Sequence, residues 1–170
     1  MKKILFVCHG NICRSPMGEF VMKDMAVKAG RTVLGINCDS EADADFRIDS
    51  AATSTEEIGM PVYPPARRKL AENGIGVAGN DLGVSSHQAH QITKSEYDYY
   101  DMIICMDYNN IRNLERRLGG DPDGKVSLML DYTERKGGEV ADPWYTGNFD
   151  ATWRDVTEGC KGLLELLGED

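Results

Sequence analysis

Apolar and polar positions along the 170 residues fall into short solid apolar runs separated by longer mixed stretches. Ile4–Cys8 is apolar without a break, which predicts a strand buried on both faces. Met102–Met106 reads the same way, and Val126–Leu130 is a third such run. Phe46–Ser50 is a shorter, mixed strand. Between them the pattern turns helical. It predicts a helix over Pro16–Lys28 stopped by Gly30, and one over Ala66–Glu72 behind Pro64 and Pro65, which suit a first turn. Thr93 and Glu96 form a capping box that opens another. A further helix spans Asn109–Leu118 before Gly119 and Gly120, and a long terminal one Ala151–Leu167. Residues 35–45 and the glycine-rich 74–83 stretch read as loops. Strands alternating with helices predict one α/β domain over 1–170. Its four-stranded parallel sheet would carry helices on both faces in three layers.

Composition narrows the classes of function. Charged residues sum to −9, which argues against nucleic acid and anionic membrane as partners. Asp39, Glu41, Asp43 and Asp45 crowd one loop and read as solvated. Five cysteines, at 8, 13, 38, 105 and 160, have no disulfide-framework spacing and suit a reducing compartment. The apolar run after Lys2 and Lys3 is too short for a signal peptide, and no stretch is long enough to cross a membrane. The expected location is cytoplasmic.

The densest chemistry lies at 7–19, V-C-H-G-N-I-C-R-S-P-M-G-E. Cys8 ends the first strand, Arg14 follows at C-x5-R, and Ser15 opens the helix. In such sheets, sites lie outside the carboxyl ends of the strands, where a phosphate-binding loop after strand one would fall. A helix N-terminus leaves N–H groups unpaired and attracts anions. The same field favours a thiolate: a free cysteine titrates near roughly 8.5 and falls by units at such a position. Arg14 offers a planar fork for two phosphate oxygens. Gly10 and Asn11 tolerate positive φ, so the loop can curl its amides inward. One Cys meets an Arg at a fixed offset by chance about one time in twenty. The added Ser, the Gly-Asn pair and the strand–helix context make coincidence a poor account. The nucleotide-binding G-x-x-x-x-G-K-[ST] pattern is missing. These groups suit attack of a thiolate on a tetrahedral oxyanion such as phosphate.

An ester oxygen leaving such a site needs a proton. Asp142, in Asp142-Pro143-Trp144-Tyr145, is the candidate acid, although Asp-Pro also starts ordinary turns. Trp144 and Tyr145 either wall the site and desolvate that acid or pack in the core. His87 and His90 share a helical face at i, i+3, but no thiol or carboxylate joins them at ligand spacing, so no metal is expected. No cofactor is expected either.

The chain resembles the low-molecular-weight protein tyrosine phosphatases. Beyond the first block, D-S-A-A-T-S at 49–54, S-H-Q-A-H-Q-I at 86–92, I-I-C-M-D at 103–107 and D-P-W-Y at 142–145 carry the likeness. The resemblance implies Cys8 as nucleophile, Arg14 as phosphoryl clamp, Ser15 as partner of the thiolate and Asp142 as general acid, then base. It implies Asn11 as the holder of the loop, pinned by Ser50 and His87. It places Cys13 close enough to Cys8 for a reversible disulfide that shields against over-oxidation. His9, Gly10, Ile12 and Glu56 would contact substrate. His9 would add a cation, and Glu56 stands where relatives often carry an aromatic. The implied partner is a tyrosine-phosphorylated protein, with a tyrosine kinase as a candidate. Three alternatives stand beside this. An arsenate reductase would need a close pair of further cysteines. A phosphoarginine phosphatase would carry a Thr-like residue where Ile12 stands. A phosphopeptide-binding module would not need the full Cys8, Arg14 and Asp142 set.

Overall fold

A computed structural model describes residues 1–168. Four parallel strands form one sheet: β1 (Lys2–Cys8), β2 (Phe46–Ala52), β3 (Met102–Cys105) and β4 (Val126–Leu128), in the order β2-β1-β3-β4. The helices are α1 (Arg14–Lys28), α2 (Pro64–Glu72), α3 (Lys94–Tyr99), α4 (Tyr108–Leu118), the single turn α5 (Pro143–Thr146) and α6 (Phe149–Gly168). The strands alternate sides as the pleat requires. Ile4, Phe6 and Ile104 join α1, α2 and α6 on one face, while Leu5, Val7, Ile103 and Cys105 meet Tyr97, Tyr100 and Leu114 on the other. Both faces are covered, which is why β1 and β3 carry no polar alternation.

Several element ends differ from the sequence pattern, each for a local reason. Helix α1 starts at Arg14, because Met17 N–H already bonds the Cys13 carbonyl at 3.1 Å. Strand β2 runs on to Ala52, in register with Cys8. The prolines belong to the first turn of α2. Strand β3 stops at Cys105, since Met106 N–H turns to the Asn110 side chain at 3.1 Å. Strand β4 ends at Leu128, not Leu130. There the Asp131 carboxylate accepts the Leu128 N–H at 2.9 Å and closes a 3-10 turn over Met129–Tyr132. The loop at 35–45 is anchored as well as solvated: Asp45 accepts from Thr32 N–H at 2.9 Å. That bond, with help from Arg31, holds the carboxyl below its ordinary value.

Candidate active site

Strand order reverses between β1 and β3, and a parallel sheet opens a crevice outside the carboxyl ends at such a point. Cys8 is the last residue of β1 and Asp107 follows β3. The loop from His9 to Cys13 arches over Cys8. The N–H groups of Asn11 and Ser15 both point at the Cys8 sulfur, at 3.4 Å, and the Ser15 hydroxyl lies 3.1 Å from it. Three donors directed at one sulfur suit a thiolate.

Asn11 makes that geometry possible. Its φ of 58° lies in the left-handed region, where Asn is among the tolerated side chains. Every polar atom of its amide is engaged. The nitrogen donates to Ser15 Oγ at 2.8 Å and Ser50 Oγ at 2.9 Å, and the oxygen accepts from His90 N–H at 3.3 Å. The His90 contact fixes which end is oxygen. The Ser15 oxygen is thus acceptor to Asn11, which leaves the Ser15 hydrogen for Cys8. Ser50 donates in turn to Glu19 at 2.5 Å, and Lys23 closes the chain on Glu19 at 2.6 Å. His87 Nε2 meets the Asn11 carbonyl at 2.8 Å. His90 Nε2 meets Glu96 at 2.7 Å, so the two histidines serve different partners.

Arg14 is 2 % exposed. Its Nη1 donates to Asp107 Oδ2 and to the Val140 carbonyl, both at 2.8 Å, and Nη2 lies 3.4 Å from Asp142 Oδ2. Burial works against its charge, but Cys8, Asp107 and Asp142 outweigh it and hold the guanidinium above its ordinary pKa. With Nη1 tied down, the Nε–H and one Nη2–H remain as a side-on fork. Asp142 caps α5, accepting from Trp144 N–H at 3.0 Å.

A cleft of about 130 Å³ holds Cys8, His9, Gly10, Ile12, Cys13, Arg14, Glu56, Asp142, Trp144 and Tyr145, and also Glu57. Ser15, Asn11, Ser50 and His87 stand behind it. Trp144 and Tyr145 wall the cleft rather than fill the core: they are 55 % and 84 % exposed. Trp144 leans on Tyr63, ring centroids 4.9 Å apart. So open a pair leaves the Asp142 side chain 25 % exposed instead of enclosing it. His9 is not a free cation either, since Nε2 lies 2.9 Å from Glu56. All five cysteines are unpaired. The Cys13 thiol is pushed up by burial, then by Cys8 and Asp142. Asp107, Val140, Glu19 and Lys23 were not singled out from sequence. Asp107 had a signal, as a carboxylate directly after an apolar strand at the edge where Cys8 lies.

The family model "Low molecular weight phosphotyrosine protein phosphatase" matches residues 3–170. A protein of that name from Gallus gallus is 36 % identical over 97 % of this chain and 95 % of its own length. YfkJ from Bacillus subtilis, a low molecular weight protein-tyrosine-phosphatase, is 34 % identical over 100 % of this chain and 98 % of its own. Its crystal structure superposes with a TM-score of 0.81, covering 99 % and 96 % of the two chains. The arginine phosphatase YwlE, at 24 % identity, TM-score 0.76 and 99 % and 97 % coverage, shares the fold. The chain belongs to the low molecular weight phosphotyrosine protein phosphatase family. It is a phosphatase enzyme acting on phosphoproteins. Among the described residues no helix is long and apolar enough to cross a membrane.

Proposed function

We propose that Cys8, Arg14, Ser15 and Asp142 carry out phosphotyrosine hydrolysis through a phosphocysteine. The carrying observation is the Cys8 sulfur facing two loop N–H groups beside the Arg14 fork. Substrate phosphate enters the cleft, and its oxygens take the loop amides and the Nε/Nη2 edge of Arg14, displacing the long contact to Asp142. The thiolate attacks phosphorus. The S–P bond forms as the P–O(aryl) bond breaks, and Asp142 gives its proton to the leaving phenolic oxygen. Asp142, now a carboxylate, takes a proton from water, which attacks the phosphocysteine. The S–P bond breaks and inorganic phosphate leaves, with the Ser15 hydrogen bond receiving the returning thiolate. Loop amides and the Arg14 fork, taken up by the phosphate oxygens, would stabilise the charge that develops in both steps.

Ile12 on the cleft wall and the exposed Trp144 and Tyr145 favour a phenyl ring over a guanidinium, hence tyrosine over phosphoarginine. Cys38, Cys105 and Cys160 do not line the cleft, which disfavours an arsenate reductase relay. Cys13 lines it with Cys8 and is the candidate thiol to trap an oxidised Cys8. One domain, a tyrosine-phosphorylated protein such as a tyrosine kinase as substrate, and a cytoplasmic setting complete this reading.

Cys8→Ser is the test. Serine oxygen is a far weaker nucleophile at this position, so turnover of an aryl phosphate should vanish while oxyanion binding, read by calorimetry with vanadate or phosphate, persists. Mass spectrometry of the quenched wild-type enzyme should find phosphate on Cys8. Substantial turnover by the Ser variant would sink the covalent route.

A further inference from the structure

Next to the catalytic cleft, and sharing His9 as a wall, lies a second hollow of about 310 Å³. Thr53, Ser54, Asn113, Arg116 and Arg117 complete its lining. Its charge opposes that of the molecule. The chain carries −9, yet no carboxylate lines this hollow, and its charged side chains are two arginines from the last turn of α4. Among the described residues neither arginine forms an ion pair. Arg117 is steadied by Nε donating to the Ile92 carbonyl at 2.8 Å, which leaves its Nη groups unspent. A helix C-terminus favours basic residues in general, but that does not account for a concave site between them and the catalytic loop. The floor adds an independent sign. Thr53 is 6 % exposed, and its Oγ1 is the one buried side-chain polar atom without a hydrogen-bond partner among the described residues. Buried hydroxyls ordinarily find partners. This one belongs to a residue that lines a basic hollow beside the place where substrate binds. His9, the wall shared with the first cleft, is engaged with Glu56 on the side of that cleft.

We propose that this hollow is a second anion subsite, which takes a phosphate carried by the same substrate chain close to the phosphotyrosine being hydrolysed. It rests on the reading that the first cleft holds that phosphotyrosine. The Arg116 and Arg117 forks match phosphate oxygens, the Thr53 hydroxyl supplies a further donor, and a phosphotyrosine brings nearly two negative charges. A peptide that enters over His9 reaches both sites at once. The enzyme then prefers multiply phosphorylated tyrosine clusters to isolated sites. A carboxylate on the substrate would use the same donors with less charge.

Peptides of one neutral sequence test this. One series carries a single phosphotyrosine, a second adds another phosphotyrosine one to three positions away on either side, and a third has glutamate there instead. At one or more spacings the doubly phosphorylated peptide should show a KM lower by about three- to ten-fold, the span expected of one or two charged contacts. Glutamate should give a smaller gain, and added salt should erode both. Arg116→Ala should remove most of the advantage and Arg116→Glu should reverse it, both with wild-type rates on p-nitrophenyl phosphate. Thr53→Val should reduce the advantage without lowering the melting temperature. Equal KM values at every spacing in the wild type, or an advantage surviving Arg116→Glu, would overturn the subsite. Failure of the wild type to hydrolyse p-nitrophenyl phosphate would instead overturn the phosphatase chemistry beneath it.

Discussion

At Asp107 one carboxylate serves two structures. Oδ2 holds Arg14, while Oδ1 accepts Asn110 N–H at 2.8 Å and caps α4. Asparagine can keep the cap yet removes the charge, so the two roles separate. Asp107→Asn should leave Arg14 nearly buried with half its anchorage, costing about 1–3 kcal/mol and lowering kcat/KM for aryl phosphates about ten- to a hundred-fold. Asp107→Ala should cost about 1 kcal/mol more, the usual worth of a cap. Chemical denaturation and steady-state rates on both variants check this, and equal stability of the two would remove the capping role. Asp142 makes a different prediction, because its proposed task is proton transfer to the leaving oxygen, while its Oδ1 caps α5 and its Oδ2 lies 3.4 Å from Arg14. Asp142→Asn should slow phosphorylation of the enzyme by phenolic esters about 10² to 10⁴-fold. Esters whose leaving groups need little protonation should suffer much less in single-turnover phosphoenzyme formation. Equal slowing of both would assign the acid to another carboxylate.

At the scale of elements, the same physics explains what could be read from sequence and what could not. Strands β1 and β3 were legible because burial on two faces demands an unbroken apolar run. The loop after β1 was legible as a candidate site because Cys8, Asn11, Arg14 and Ser15 fall close together in one stretch of chain. Asp107 and Val140 reach Arg14 from 93 and 126 positions away, a contact that no local pattern announces. Helix α1 hid its start and its role, since it packs against β1, β2 and α6 with most of its surface buried, Glu19 and Lys23 included. Glu19 and Lys23 pair with each other inside it, at 2.6 Å, which no linear pattern announces. The end of β4 hid as well, because Met129 and Leu130 are apolar yet lie in a turn closed by a side chain. That turn meets α6 at glycines. A Cβ at Gly162 would fall 1.8 Å from the Tyr132 carbonyl oxygen, and one at Gly159 2.6 Å from a Met129 carbon. Backbone cannot give way as a side-chain tip can. Gly162→Ala should therefore destabilise by about 3 kcal/mol, at or beyond the usual overpacking range, despite the helix propensity alanine adds. An unchanged melting temperature would mean that α6 slides freely on the sheet.

Across the whole molecule, the loop around Cys8 is held from behind by a layer of ionisable groups that joins β2, α1 and α3. His90 sits in it, its backbone N–H on Asn11 and its imidazole on Glu96. Glu96 raises the His90 pKa through that hydrogen bond, against partial desolvation, and Asp49 and Glu19 add to the effect. Arg47, bound to Asp49 at 2.9 Å, and Tyr100, bound to the same carboxylate at 2.5 Å, complete the charged and titratable groups on this side with His87. A folded-state pKa above the unfolded one means that the native protein binds the proton more tightly. The stabilisation is then fully present below the unfolded value, about 6.5 for histidine, and is lost as pH rises through the folded one. The His90 side chain is 46 % exposed, so solvent keeps the effect small. Melting temperatures of wild type and His90→Gln should differ most near pH 6 and converge above about pH 8. The same shift should appear in activity, because the His90 backbone amide orients the Asn11 side chain that aims Ser15 at Cys8. A gap between the two proteins that widens with rising pH would reverse the sign and assign the titration to another group in the layer.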